Sequence, residues 1–114
     1  MGLSPLKSKT QSATLEAKRP PPPNHLSKKM KAFWISVFER KDLEPHEAMI
    51  FLKACEAHDR AEQARRILKR EGLTYQDRFQ QPRARPEVSI EYRGRATFAK
   101  LLWQINLYGP EWMP

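Results

Sequence analysis

Residues 45–72 read PHEAMIFLKACEAHDRAEQARRILKREG, and the way this stretch distributes its apolar side chains decides the fold. Pro45 suits the first turn of a helix, where the N–H it lacks would go unpaired anyway. Gly72 suits a left-handed C-cap after Glu71. The pattern predicts one helix over 45–71. Its apolar residues fall into two clusters: Ala48, Phe51, Leu52 and Cys55, then Ala64, Ile67 and Leu68, with Leu73 just beyond. Residues 56–63 between them are polar but studded with alanine. At 1.5 Å rise per residue this helix runs about 40 Å. A short neighbour covers only part of that length, so the rest has to find another surface.

Working upstream, Leu26, Met30, Phe33, Trp34, Val37 and Phe38 recur at helical spacing and form one broad stripe. Ser27 stands where an N-cap is wanted. Phe33 and Trp34 follow the stripe and read as core rather than as base-stacking platforms. Lys28, Lys29 and Lys31 crowd the first turn, the unfavourable end of a helix for cations. A bound phosphate would offset that cost, which makes them DNA-contact candidates. Before this helix, residues 1–25 are rich in Ser, Thr, Lys and Pro and end in four consecutive prolines and an Asn-His pair. They hold too little apolar surface to offset the entropy of ordering, so a disordered basic arm is expected, with the prolines as a semi-rigid spacer. Lys7, Lys9, Lys18 and Arg19 are its cations.

Working downstream, residues 74–89 contain Pro82 and Pro86 and no helical stripe. They read as an extended connection that exposes Arg78, Arg83 and Arg85. A third helix is expected from Ser89 as N-cap, with Phe98, Leu101, Leu102, Ile105 and Tyr108 along its apolar face and Gly109-Pro110 ending it. The tail 109–114 leaves Trp112 without an evident core partner. The expected fold class is therefore all-α: two to three amphipathic helices around a long central one, a helical-hairpin core, and an extended Pro/Arg connection. The expected divisions are the arm at 1–25, a helical domain at 26–108 and the tail at 109–114.

Composition narrows the function. Among 114 residues, 21 Lys and Arg face 13 Asp and Glu, a formal net charge of +8, with a mean hydropathy of −0.76. No apolar run approaches the roughly 20 residues of a spanning helix, so no membrane association is expected. Residues 1–9 lack the apolar core of a secretory leader, so none is expected either. A single cysteine, Cys55, provides no internal disulfide and no Cys-rich zinc module, which fits a reducing compartment. It lies on an apolar helix face and reads as a small buried hydrophobe. His58 and Glu62, one helical turn apart, are only two potential metal ligands. Glu56 and Arg60 are placed to pair at i,i+4. The four glycines are scattered and form no phosphate loop. No catalytic residue, metal site or cofactor is expected. Inside a cell the default polyanion for a basic chain is nucleic acid. A core this thin rarely stabilises a single copy well, so oligomerisation is expected, through Phe51, Leu52, Cys55, Ile67 and Leu68.

Several segments in order resemble one family. Leu26-Ser27-Lys28 and Phe33-Trp34 are followed by Leu43-Glu44, then by Ala54-Cys55-Glu56-Ala57-His58-Asp59-Arg60-Ala61 and Leu68. Glu71-Gly72-Leu73-Thr74, Asp77-Arg78-Phe79, Pro82-Arg83-Ala84-Arg85-Pro86 and Arg95, Phe98, Leu101-Leu102 and Leu107 complete the set. Together they are similar to the phage terminase small subunits, over roughly residues 26–107. Similar proteins often carry a glycine where Gln80 or Gln81 stands, so the turn before Pro82 is expected to be shaped differently here. The resemblance implies a mostly helical, ring-forming homo-oligomer in the cytoplasm of the phage-infected or prophage-carrying bacterium. It implies a non-catalytic subunit that binds double-stranded viral DNA for packaging, partners the terminase large subunit and modulates its ATPase and nuclease. On that reading Lys7, Lys9, Lys18, Arg19, Lys28, Lys29 and Lys31 contact phosphates, and Trp112 meets the large subunit. Two other readings use the same residues: a dimeric helix-turn-helix-type regulator, and a protein-docking adaptor that binds no nucleic acid. The long central helix counts against the first, which needs a short second helix and a clean recognition helix.

Overall fold

The computed structural model describes residues 19–113. Its elements run α1 (Lys28–Arg40), α2 (Pro45–Glu71), β1 (Thr74–Gln76), β2 (Pro82–Ala84) and α3 (Pro86–Gln104), with a short 3₁₀ turn at Pro110–Trp112. The long helix has the bounds its pattern predicts. Pro45 sits in its first turn, the Glu44 amide donates to Glu47 Oε1 at 3.0 Å, and the Gly72 amide closes on the Leu68 carbonyl. Gly72 has φ of 89° with ψ of 170°. This is the positive-φ territory open to glycine, but the chain leaves extended, directly into β1, rather than turning through a left-handed cap.

The second surface that α2 needs comes from its own chain. After the β1–β2 turn, α3 runs back antiparallel along α2, and the two meet over small side chains. Ala57, Ala61 and Ala64 of α2 are buried. A Cβ added at Gly94 of α3 would stand 2.8 Å from the Ala57 carbonyl oxygen and 2.8 Å from the Ala61 Cβ. The alanines that make residues 56–63 look featureless are thus the contact face of a helical hairpin formed by α2 and α3.

At the other end α1 caps this hairpin and completes the core. Trp34 stacks on Phe51 at 5.1 Å between centroids and an interplanar angle of 12°, and Phe33 meets Phe51 edge-on at 5.5 Å. Met30, Val37, Phe38, Ala54 and Cys55 fill the space around them, with Leu102, Ile105 and Leu107 closing from α3 and the segment beyond it. Cys55 is fully enclosed, and burial first, then the Asp59 and Glu56 carboxylates, push its thiol up to about 12. It is an inert packing residue, as its place on the apolar face suggests.

Several local features depart from expectation. α3 starts at Pro86, not Ser89: Arg85 is the N-cap, Pro86 occupies the first helical position and Glu87 lies in the first turn. A proline read as a breaker is here a starter, because only the missing N–H of a first turn is free of cost. The connection at 74–85 is not merely extended. It pairs as an antiparallel ribbon, with Thr74 opposite Ala84, Tyr75 opposite Arg83 and Gln76 opposite Pro82. Asp77 organises the turn: its carboxylate accepts from the Phe79 and Gln81 amides and from Arg83 Nε. The Gln81 amide, then Arg83 and Phe79, hold this carboxyl below its usual range. Gln80 takes φ of 61°, a left-handed position that a residue with a Cβ occupies at a steric cost.

α3 ends in a Schellman motif. Asn106 adopts φ of 61° and the Leu107 amide reaches back to the Leu102 carbonyl at 2.8 Å. The reversal sends Leu107 into the core and leaves Tyr108 half exposed against Trp103, with ring centroids 4.2 Å apart. Tyr108 is therefore not part of the apolar face. Residues 19–25 also do more than link: the Trp34 indole donates to the Pro20 carbonyl at 2.8 Å, and His25 meets Glu56 at 2.8 Å. Glu56 thus pairs with His25 and Lys53 rather than with Arg60. Burial raises its carboxyl, but hydrogen bonds from His25 and Lys53 outweigh this and leave it lowered.

Three measurements probe this packing. Gly94→Ala gains about 1 kcal/mol of helix propensity but forces a Cβ onto backbone, where overpacking costs about 1–3 kcal/mol; urea unfolding should show net destabilisation, and a stability gain would mean the seam is loose. Gln80→Gly relieves about 1 kcal/mol of left-handed strain and adds about 0.5 kcal/mol of chain entropy to be lost on ordering, so exchange of the Asp77 and Arg85 amides should slow by roughly twofold to threefold. His58 lies edge-on to Phe98 at 5.0 Å. Burial first and Lys29 next lower its pKa from 6.5, against the opposing pull of Glu62 and Asp59. A depressed histidine pKa means the unfolded chain takes the proton first. Its contribution is whole above 6.5 and is lost as pH falls below that value toward the folded pKa. His58→Gln should flatten the drop in urea midpoint between about pH 7.5 and about pH 5.

Candidate nucleic-acid interface

The cations expected to meet DNA are divided among three places. Lys7, Lys9 and Lys18 lie outside the described residues, and Arg19 is exposed at their edge. Lys28 and Lys29 are exposed on the first turn of α1, with Lys31 half-buried beside them. The structure supplies a compensation for this lysine turn that does not need a ligand. Asp59 of α2 receives the Ser27 amide at 2.7 Å and the Ser27 hydroxyl at 2.5 Å, while Ser27 Oγ accepts from the Met30 amide at 3.2 Å. A carboxylate at the positive end of α1 thus offsets the lysines from within the fold.

The larger reserve of charge sits elsewhere. Residues 26–59 carry six basic and six acidic groups and are neutral; residues 60–95 carry ten basic and five acidic. The fold gathers this second set on the second half of α2, the ribbon and the first half of α3, from the Gly94 seam outward to the ribbon. Arg65, Arg70, Arg83 and Arg95 pair with Glu62, Glu71, Asp77 and Glu91. Arg60, Arg66, Lys69, Arg78, Arg85 and Arg93 form no ion pair among the described residues, and Arg85 Nη2 donates to the Glu71 carbonyl instead. Arg60 and Arg93 flank a shallow groove floored by Ala57, Gly94 and Thr97.

The residues expected at a subunit contact separate sharply. Phe51 and Cys55 have no exposed surface within one copy, and Leu68 is buried toward the helical seam. These three are occupied by intrachain packing, because α1 and α3 already cover the stripe they belong to. Leu52 and Ile67 remain half-buried. Apolar side chains left open lie at both ends: Leu73, Tyr75, Phe79, Val88, Ile90 and Tyr92 around the basic end, and Ile35, Met49, Trp103, Tyr108 and Met113 toward α1. Trp112 is no free aromatic. It packs against the core, with the Arg40 guanidinium 4.0 Å above its ring and Arg40 Nη1 donating to the Glu111 carbonyl at 2.7 Å. Lys41 ties the same region down through the Ile105 carbonyl at 2.8 Å.

His58 and Glu62 acquire no third ligand: among the described residues no cluster of three His, Cys, Asp or Glu could hold a metal. No helix of the described residues is long and apolar enough to cross a membrane. Searches of curated proteins and of solved structures returned no match. A family-wide sequence profile described as phage terminase, small subunit, matches residues 31–107, about two thirds of the chain, which spans α1, the α2–α3 hairpin with its ribbon, and the turn that closes the core. The chain belongs to the phage terminase small-subunit family.

Proposed function

We propose that this chain is a non-catalytic, ring-forming DNA-binding subunit of a viral packaging motor. It engages double-stranded viral DNA in the host cytoplasm, delivers it to the terminase large subunit and modulates that partner's ATPase and nuclease. The observation that carries this reading is the polarity of net charge along the helical body: residues 26–59, closed by aromatic packing, carry six basic and six acidic groups, whereas residues 60–95 carry ten and five. Unpaired surface cations on a rigid hairpin suit a polyanion, and repeating them around a ring multiplies a weak patch by avidity. Lys7, Lys9, Lys18, Arg19, Lys28, Lys29 and Lys31 extend the same phosphate-contacting capacity at the N-terminal side. Subunit contacts are proposed through Leu52, Ile67 and the apolar residues left open near the ribbon. The large subunit is proposed to meet the α1–α3 end, where Trp112 anchors a segment that also displays Trp103 and Tyr108.

Binding to a labelled duplex should fall by at least roughly a hundredfold between about 50 and about 200 mM salt. Removing residues 1–18, with Lys7, Lys9 and Lys18, should reduce the slope of log affinity against log salt by nearly three per engaged subunit. Light scattering should give a multiple of the 13.4 kDa chain mass. Salt-independent binding overturns the phosphate contacts, and a single-copy mass overturns the ring. A dimer mass favours the regulator instead.

A further inference from the structure

The β1–β2 ribbon is the part of this fold that packing does not explain. All six strand residues are exposed, and an isolated two-stranded ribbon is marginally stable in water. Yet its turn is fastened by three hydrogen bonds to one carboxylate, that of Asp77. Its base is fastened by the Arg85 amide on the Leu73 carbonyl at 2.9 Å. This stiffness holds out side chains that the core does not use. Phe79 stands in the turn 66% exposed, with the Arg78 guanidinium 4.8 Å from its ring centroid.

Residues two apart share a face of a strand. Tyr75 and Arg83 are cross-strand partners, and Arg85 continues their row with its guanidinium 5.9 Å from the Tyr75 ring. Thr74, Gln76, Pro82 and Ala84 on the opposite face carry no charge. The result is a narrow arm with arginines along one side, Arg83 held by Asp77 and Arg85 by the Glu71 carbonyl, and an apolar wedge beside the unpaired Arg78 at its tip. Arg66, Lys69 and Arg70 on the last turns of α2 prolong the basic surface at its root.

We propose that this ribbon is a groove-inserting arm for duplex DNA, in which Phe79 wedges at a base step from the minor groove while Arg78, Arg83 and Arg85 hold the flanking backbone. The inference rests on the DNA-binding reading above and names the element that enters the duplex. Apolar side chains carried by basic elements unstack base steps in this way, and the narrow minor groove concentrates negative potential that attracts an arginine beside the wedge. The ribbon body is too broad for that groove, so only the turn enters. An acidic peptide would satisfy Arg78 but would not span the net basic surface that runs from the ribbon to Arg66 and Lys69 of α2, whose length suits a regularly charged polymer.

Phe79→Ser and Arg78→Gln test this in the full chain, because no described hydrogen bond or ion pair uses either side chain; unchanged thermal melts by circular dichroism confirm the fold. Anisotropy with a mixed-sequence duplex is followed across a salt series. Phe79→Ser should weaken binding about tenfold, in line with the value of a stacked base, and leave the salt slope unchanged. Arg78→Gln should lower the slope by about one per engaged subunit. If the unaltered protein ignores the duplex, the DNA-binding reading fails and the arm with it. If it binds and both variants match it, the arm alone is overturned. Weaker capture of polyglutamate by the variants, with duplex binding intact, assigns the ribbon to an acidic protein and also overturns the proposal.

Discussion

The close approach of Gly94 to Ala57 and Ala61 is the contact on which the rest of this structure depends. A helix of 27 residues cannot be covered by the 13-residue α1, and the small-residue seam lets α3 lie against the remainder almost backbone to backbone. With α3 fixed there, Phe98 reaches Phe33 and His58, and Leu102, Ile105 and Leu107 fall onto the aromatic cluster around Phe51. The same seam sets where the opposite end of the hairpin projects its ribbon. A single steric allowance thus positions both the closed core and the open basic end.

The two ends use charge differently. Near α1, many ionic groups serve the fold itself: Asp59 caps Ser27, His25 and Lys53 hold Glu56, and Arg40 and Lys41 pin the C-terminal segment through Glu111 and Ile105, which leaves Lys28 and Lys29 exposed. Near the ribbon, basic groups outnumber acidic ones two to one, so cations remain after every local pair is made. Desolvation forbids a bare charge in the core but not on the surface. The surplus therefore stands where a polyanion can reach it, on elements stiff enough to hold a fixed spacing.

Much of the helical layout was legible because amphipathic spacing and end signals agree. The α1 stripe from Leu26 to Phe38, the Ser27 cap, the bounds Pro45 and Glu71, and the buried Cys55 all follow from neighbours within a turn or two. The ribbon was not legible. Three-residue strands with both faces exposed have no alternation to read, and the carboxylate that organises the turn is an ordinary surface aspartate until its partners are in place. Ser89 looked like the start of α3 because serine caps and proline breaks, yet Arg85-Pro86 does the same work three residues earlier. Phe51, Cys55 and Leu68 looked available for a second copy only because one helix face cannot announce which neighbour will cover it. Trp112 looked stranded because its partners, Arg40 and the core beneath, lie far away along the chain.

What the amino-acid order determined by itself was local: where helices begin and end, which stripe is apolar, and that basic groups exceed acidic ones. These rest on interactions over one to four residues, which propensity and capping encode directly. Tertiary structure decided that α2 is covered by its own α3, that the alanines of residues 56–64 form a seam, and that Leu107 rather than Tyr108 enters the core. It also decided that the excess of basic over acidic groups collects on one part of the hairpin. Those outcomes depend on distances between segments tens of residues apart, and only the folded backbone brings Gly94, Ala57 and Ala61 close enough to set them.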